Sequence, residues 1–211
     1  AWTYKHLLPA SARRTWTDAR IDRSRYSMSL FVWYFGTRRK YDDVAHHSIL
    51  LGPRYRELLD DIFEKKKLAD DFSLYLHRPT ATDPSLAPEG CDAFYVLSPV
   101  PHLESGTDWS RQAEPYRQSI QRYLEKTVLP GLGDALVTSR VLTPQGFQDD
   151  LLSFRGAAFG IRREGAGIRV PLAEHDIATT TRRVHDRDRH GERLAGAEIL
   201  DLDDVIAGFA A

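Results

Sequence analysis

Short apolar runs, separated by proline, glycine and charged residues, predict several strands along this chain. Five runs share this pattern, at residues 27–36, 46–51, 72–76, 94–100 and 135–142. They are rich in aromatic and aliphatic side chains, as buried strands are. The first run is apolar at nearly every position, so we expect both faces of that strand to be covered.

Two longer segments repeat apolar residues with the period of an α-helix. The first follows Pro53, and its apolar stripe is Tyr55, Leu58, Leu59, Ile62 and Phe63. The second follows Asp108, a good N-cap, and its stripe is Tyr116, Ile120, Tyr123, Leu124 and Val128. Pro130 and Gly131 end this helix, and Thr143-Pro144 predicts the start of a shorter one. Helices and strands together predict an α/β fold.

The first 26 residues predict short helical turns around Pro9, with their aromatic side chains packed inward. Their arginines are expected to face outward, and these are Arg13, Arg14, Arg20, Arg23 and Arg25. A basic surface of this kind is typical either of a solvated face or of a contact with a membrane surface.

Composition narrows the class of protein. The chain has 211 residues and a net charge of −1, so it lacks the basic excess of a general nucleic-acid-binding protein. One cysteine excludes an internal disulfide and fits a reducing compartment such as the cytoplasm. No apolar run approaches the roughly 20 residues that span a bilayer. The chain begins with Ala1 and has no signal-peptide pattern, which suggests a piece of a longer protein.

The composition changes at about Gly160 and divides the chain into residues 1–160 and 161–211. The second part contains no Lys, Trp or Tyr, and its arginines alternate with acidic residues. Such a segment buries little surface, so partial disorder is expected there. A terminal helix is predicted only over residues 197–209.

Residues with chemical potential lie at the ends of the predicted strands. His46 and His47 are adjacent, and neighbouring residues of a regular strand point to opposite faces, so no metal site is predicted for them. The GxG of Gly131-Leu132-Gly133 follows a helix rather than a strand, which is the wrong context for a dinucleotide fingerprint. The strand aromatics Phe31, Trp33, Tyr34 and Tyr75 either fill the core or line an apolar tunnel.

Four stretches resemble bacterial phytoene desaturases, the FAD-dependent carotenoid desaturases related to flavin amine oxidases. They are SMSLFVWYFGTRR, HHSILLGPRYRELLDDIF, LADDFSLYLHRPTATDPSLAPEGCDAFYVLSPVPHL and LPGLGDALVTSRVLTPQGFQDDLLSFRGAAFG. The resemblance covers about residues 1–160. It implies the substrate-domain portion of a flavin amine oxidase-like fold, with a mixed sheet, a helical cap and an incomplete FAD domain.

The resemblance also implies an activity, the stepwise desaturation of phytoene to lycopene with FAD as cofactor. It implies a peripheral, cytoplasmic location at a membrane surface and allows a homo-oligomer. A long polyene binds through apolar area, which favours the tunnel interpretation for Phe31, Trp33, Tyr34 and Tyr75. The polar candidates for catalysis, chosen from their strand-end positions, are His46, His47, His77 and Arg78.

The chain departs from the family pattern in two places. The family's GxGxxG strand–turn–helix is absent from this sequence, and no FAD-contacting segment is recognisable after Gly160. We therefore expect that the chain alone neither binds FAD tightly nor desaturates phytoene. The alternatives are a related flavoenzyme acting on another polyene (a C30 desaturase, a carotenoid isomerase or a saturase) and a non-catalytic polyene-binding module.

Overall fold

A single antiparallel sheet forms the centre of the protein in a computed structural model that describes residues 1–162 and 199–200. Its strands are β1 (Ser29–Thr37), β2 (His47–Leu50), β3 (Leu74–His77), β4 (Asp92–Val100), β5 (Leu136–Leu142) and β6 (Ile199–Leu200). They lie in the order β5-β1-β4-β3-β2-β6. The five predicted strands are confirmed as β1 to β5.

The expectation of a mixed sheet is wrong for this part of the chain, because every described strand pair is antiparallel. A parallel pair needs a crossover connection, usually a helix. The proline-rich connector between β3 and β4 instead forms two 3-10 turns, Pro79–Ala81 and Pro84–Leu86, and returns the chain to the same edge.

The α-helices are α1 (Trp2–His6), α2 (Asp18–Arg23), α3 (Tyr55–Phe63), α4 (Trp109–Thr127), α5 (Leu132–Ala135) and α6 (Pro144–Asp149). The predicted caps are confirmed, since Asp108 accepts a hydrogen bond from the backbone N–H of Ser110 and Thr143 accepts one from Gly146. The left-handed conformation of Gly131 (φ 71°) follows the end of α4, where the helix was expected to stop.

The hydrophobic core lies between the sheet and α4. Phe31, Trp33 and Phe35 of β1 point toward this helix together with buried residues of β4, and Ile120 and Leu124 meet them from α4. Each fully buried side chain of this size contributes roughly 1.5–3 kcal/mol to stability. The predicted helical stripe is therefore the cap that covers one face of the sheet.

The other face of the sheet is not covered in the way that the apolar run of β1 suggested. Tyr34 retains 44% of its accessible surface, although both faces of this strand were expected to be buried. Strand residues alternate between faces, so one aromatic run supplies the core with its odd-numbered residues and the opposite surface with its even-numbered ones.

The N-terminal region forms the short helical turns that its sequence predicts. Arg14, Arg20, Arg23 and Arg25 are exposed as expected, but the prediction for Arg13 is wrong. Its guanidinium is buried and lies 2.5 Å from a carboxylate oxygen of Asp18, which compensates its charge.

The predicted division of the chain at Gly160 falls near the end of the described residues. The terminal helix over 197–209 lies outside them, except that Ile199 and Leu200 form a strand paired with β2. The expected disorder of residues 161–211 likewise falls almost wholly outside. Among the described residues, no helix has the length and apolar character to span a bilayer.

Candidate functional site

Two parallel rows of side chains cross the sheet on the face opposite α4. The first row is His47, His77, Tyr95, Tyr34 and Arg140, and the second is Ile49, Tyr75, Leu97, Val32 and Leu142. We call this ten-residue surface the open face. Each row takes one residue from each of five adjacent strands, so at a strand spacing of about 4.8 Å it extends about 19 Å across the sheet.

Aromatic rings make the centre of the open face continuous. The ring of Tyr95 lies 5.8 Å from that of Tyr34, 5.9 Å from that of Tyr75 and 4.6 Å from the imidazole of His77, measured between centroids. Burial, together with the neighbouring Tyr95, raises the pKa of Tyr75 far above its usual value. Its hydroxyl therefore stays protonated and lies 2.6 Å from Nδ1 of His47.

The four predicted substrate-binding residues divide between the two faces. Tyr34 and Tyr75 lie on the open face, and their role in substrate binding stays a prediction. Phe31 and Trp33 are fully buried in the core, where Trp33 donates a hydrogen bond from its indole N–H to Ser139. The four residues therefore share no surface. The prediction overlooked Tyr95, although the period-2 alternation of β4 places it on the same face as Leu97.

A cluster of three imidazoles lies at the β2–β3 edge of the open face. His47 and His77 are cross-strand partners, with ring centroids 5.0 Å apart. The ring of His46 is 4.2 Å from that of His47 and 4.6 Å from that of His77. The geometric argument that separated His46 from His47 is wrong, because His46 precedes the first residue of β2 and does not follow strand alternation.

Hydrogen bonds position two of these rings. Nδ1 of His46 lies 2.5 Å from Oγ1 of Thr82, and its Nε2 lies 2.7 Å from Nε2 of His77. Burial, assisted by the charges of His46 and His47, lowers the pKa of His77. Neutral imidazoles accept protons and ligate cations. The catalytic role of these three residues stays a prediction.

Arg78 is separate from the histidines and points toward the core. Its guanidinium donates hydrogen bonds to Asp92, to the carbonyl of Val44 and to Asp42, so all three of its nitrogens have partners. Asp92 is fully buried and also accepts from the Thr80 hydroxyl and the backbone N–H of Tyr41. This network joins β3, β4 and the segment after β1, which identifies a structural contribution of Arg78.

Comparison with known proteins gives three close relatives over most of this chain. It is 49% identical to a neurosporene-forming phytoene desaturase of Rhodobacter capsulatus and 52% identical to that of Cereibacter sphaeroides, each over 75% of the chain. It is 48% identical to a lycopene-forming phytoene desaturase of Pseudescherichia vulneris over 83% of the chain, more than residues 1–160 make up. The chain spans 31% to 37% of the length of these relatives. No family model matches it.

Proposed function

We propose that this chain, which is homologous to phytoene desaturases over at least three quarters of its length, forms the polyene-facing part of a carotenoid desaturase. The observation that carries this proposal is the continuous aromatic surface of Tyr34, Tyr75 and Tyr95 on the open face. The proposed substrate is phytoene, and the reaction of the complete enzyme is its desaturation in carotenoid biosynthesis.

The chemistry of a hydrocarbon substrate supports this assignment of the open face. A polyene offers no hydrogen-bonding group, so its affinity comes from apolar area, at roughly 25 cal/mol per Å². Covering about 100 Å² of this surface then contributes about 2.5 kcal/mol. Tyr34, 44% exposed, and the half-buried Tyr75 and Tyr95 are well placed to supply such area, because their rings adjoin across three strands.

FAD is the cofactor that we infer for the complete enzyme, where it would accept the hydride. The described residues do not fit a dinucleotide site. Gly131 and Gly133 adjoin α5, a helix of only four residues that follows α4 instead of a strand. We therefore assign no flavin contact to the described residues and expect the purified chain to retain no flavin absorbance after incubation with FAD and gel filtration.

A peripheral contact with a membrane surface is the proposed location, on the cytoplasmic side. Leu7 is 65% exposed and lies in the same region as the exposed arginines Arg14, Arg20 and Arg23. This combination suits anionic headgroups and the outer acyl region. Flotation with anionic vesicles tests it, and a Leu7→Asp variant that floats equally well would exclude this contact. The homo-oligomer stays a prediction.

A chimaera tests the function directly. Residues 1–162 replace the aligned segment of the Rhodobacter capsulatus enzyme, and the product is expressed in cells that accumulate phytoene. We expect coloured polyenes from the chimaera, and a strong loss of colour when Tyr34 and Tyr95 are both replaced by alanine. Leu151→Ala, at an exposed apolar residue outside the open face, is the matched control.

The outcomes of this experiment separate the alternatives. Coloured products from phytoene support the proposal, whereas conversion of only a C30 substrate or only isomerised products would identify a related flavoenzyme. Polyene that copurifies with the isolated chain, while the chimaera stays inactive, would indicate a non-catalytic binding module. Equal activity of the double tyrosine variant and Leu151→Ala would remove the open face from substrate binding.

A further inference from the structure

The geometry points to a second site on this protein, a binding site for a late first-row divalent cation such as Zn²⁺, formed by His46, His47 and His77. One ring nitrogen from each of the three lies within 4.8 Å of the others. The proposal stands independently of polyene binding, since it rests on the imidazole cluster and not on the aromatic centre of the open face.

Backbone structure brings the three side chains together. His47 begins β2 and His77 ends β3, and their pairing in the antiparallel register directs both rings to one face. The backbone N–H of Arg78 donates to the carbonyl of His46 at 2.8 Å, which holds the residue before β2 beside the end of β3. Ligands carried on strand ends are held by the sheet itself, so the order of the site costs little additional entropy.

Contacts around the rings resemble those that orient metal ligands in proteins. A ligating histidine usually contacts a polar group through its other ring nitrogen, which fixes the ring and its tautomer. Nδ1 of His46 has Thr82 Oγ1 at 2.5 Å, and Nδ1 of His47 has the Tyr75 hydroxyl at 2.6 Å. Nε2 is then the nitrogen with which His46 would ligate, and for His47 too Nε2 is the second ring nitrogen.

The contact between His46 and His77 is the second observation that points to a ligand. Their Nε2 atoms lie 2.7 Å apart, so in the absence of a cation one of the two must carry a proton directed at the other. Nδ1 of His77 is buried and has no hydrogen-bond partner among the described residues. A cation ligated by both Nε2 atoms would replace this proton and leave Nδ1–H as the single tautomer of His77.

The donor set favours zinc over harder cations. Imidazole nitrogen suits Zn²⁺, Co²⁺, Ni²⁺ and Cu²⁺, whereas Mg²⁺ and Ca²⁺ prefer oxygen ligands. Three histidines with an open fourth position are a known ligand set for zinc. All three residues are partly exposed, so water can complete the coordination.

Cobalt provides the test, because tetrahedral Co²⁺ has visible absorption bands that report nitrogen ligation. The untagged 211-residue chain is prepared with His175, His185 and His190 replaced by glutamine, so that histidines outside the described residues do not contribute. It is stripped with a chelator and titrated with Co²⁺. We expect one Co²⁺ per chain with visible bands, displaced by one equivalent of Zn²⁺.

Variants locate the site. His46→Ala, His47→Ala and His77→Ala are each expected to weaken Co²⁺ binding by more than the roughly 10–100-fold that loss of an outer partner costs. Thr82→Val and Tyr75→Phe remove only those outer partners, and each should weaken binding by about tenfold in a protein that keeps its fold. His6→Gln, at an exposed histidine outside the cluster, should bind as the parent does.

Two results would overturn the proposal. One is a parent chain that takes up no stoichiometric Co²⁺ or Zn²⁺. The other is binding that the cluster variants and His6→Gln weaken equally, which would place the cation elsewhere. If the alanine variants fail to fold, Thr82→Val and Tyr75→Phe decide, because unchanged binding in both contradicts the predicted coordination.

Discussion

Replacing Asp92 with alanine should destabilise this protein more than any surface substitution. Asp92 is fully buried and accepts hydrogen bonds from Arg78 at 2.9 Å, from the Thr80 hydroxyl at 2.6 Å and from the Tyr41 N–H at 2.8 Å. Its removal leaves the guanidinium of Arg78, whose side chain is 5% exposed, without its buried counter-charge. Breaking a buried ion pair from one side costs about 3–5 kcal/mol.

Asp42 provides a matched control, because it pairs with the same arginine at 3.0 Å but its side chain is 81% exposed. An exposed ion pair contributes about 0.2–1 kcal/mol, so Asp42→Ala should have a small effect. Replacing the pair by apolar residues, as Arg78→Met with Asp92→Leu, should cost less than Asp92→Ala alone, since no unpaired charge remains.

Urea unfolding followed by circular dichroism measures these differences as free energies of unfolding. The expected order of stability is wild type, Asp42→Ala, the double apolar variant and then Asp92→Ala. If Asp92→Ala lies within about 1 kcal/mol of Asp42→Ala, then burial does not set the strength of this network and the structural role given to Arg78 is wrong.

Three further predictions follow from burial, backbone conformation and titration. Trp33→Ala should cost about 3–5 kcal/mol in urea unfolding, whereas its neighbour Tyr34→Ala, on the open face, should cost less than half of that; equal costs would contradict the assignment of faces. Gly156→Ala should lower the melting temperature clearly, because its φ is 66° and an added Cβ would lie 2.3 Å from the carbonyl oxygen of Pro144; an unchanged melting temperature would contradict this. Burial lowers the pKa of His102 below its usual 6.5, outweighing the opposing effect of Glu104, so the unfolded state binds the proton more readily and stability should fall as pH drops below about 6.5. His102→Gln should flatten that pH dependence in unfolding experiments while the exposed-site variant His6→Gln should not, and identical profiles would refute the assignment.

The sequence determined the elements whose causes are local. The apolar stripes of α3 and α4, the caps at Asp108 and Thr143, and the strands β1 to β5 all follow from side-chain period and turn chemistry, and all are present. The likeness to phytoene desaturases could also be recognised from sequence alone, because it depends on long continuous stretches. These features need no knowledge of which segments become neighbours.

Tertiary structure alone decided which residues meet. A period of two fixes the face of a residue relative to its own strand, but it fixes neither the neighbouring strand nor the face that a helix will cover. Strand order and register place Tyr95 between Tyr34 and His77, and the packing of α4 makes Trp33 part of the core. His46 joins His77, 31 positions away, because it precedes β2 and escapes strand alternation. Contacts of this range arise from packing between segments, which local pattern does not encode.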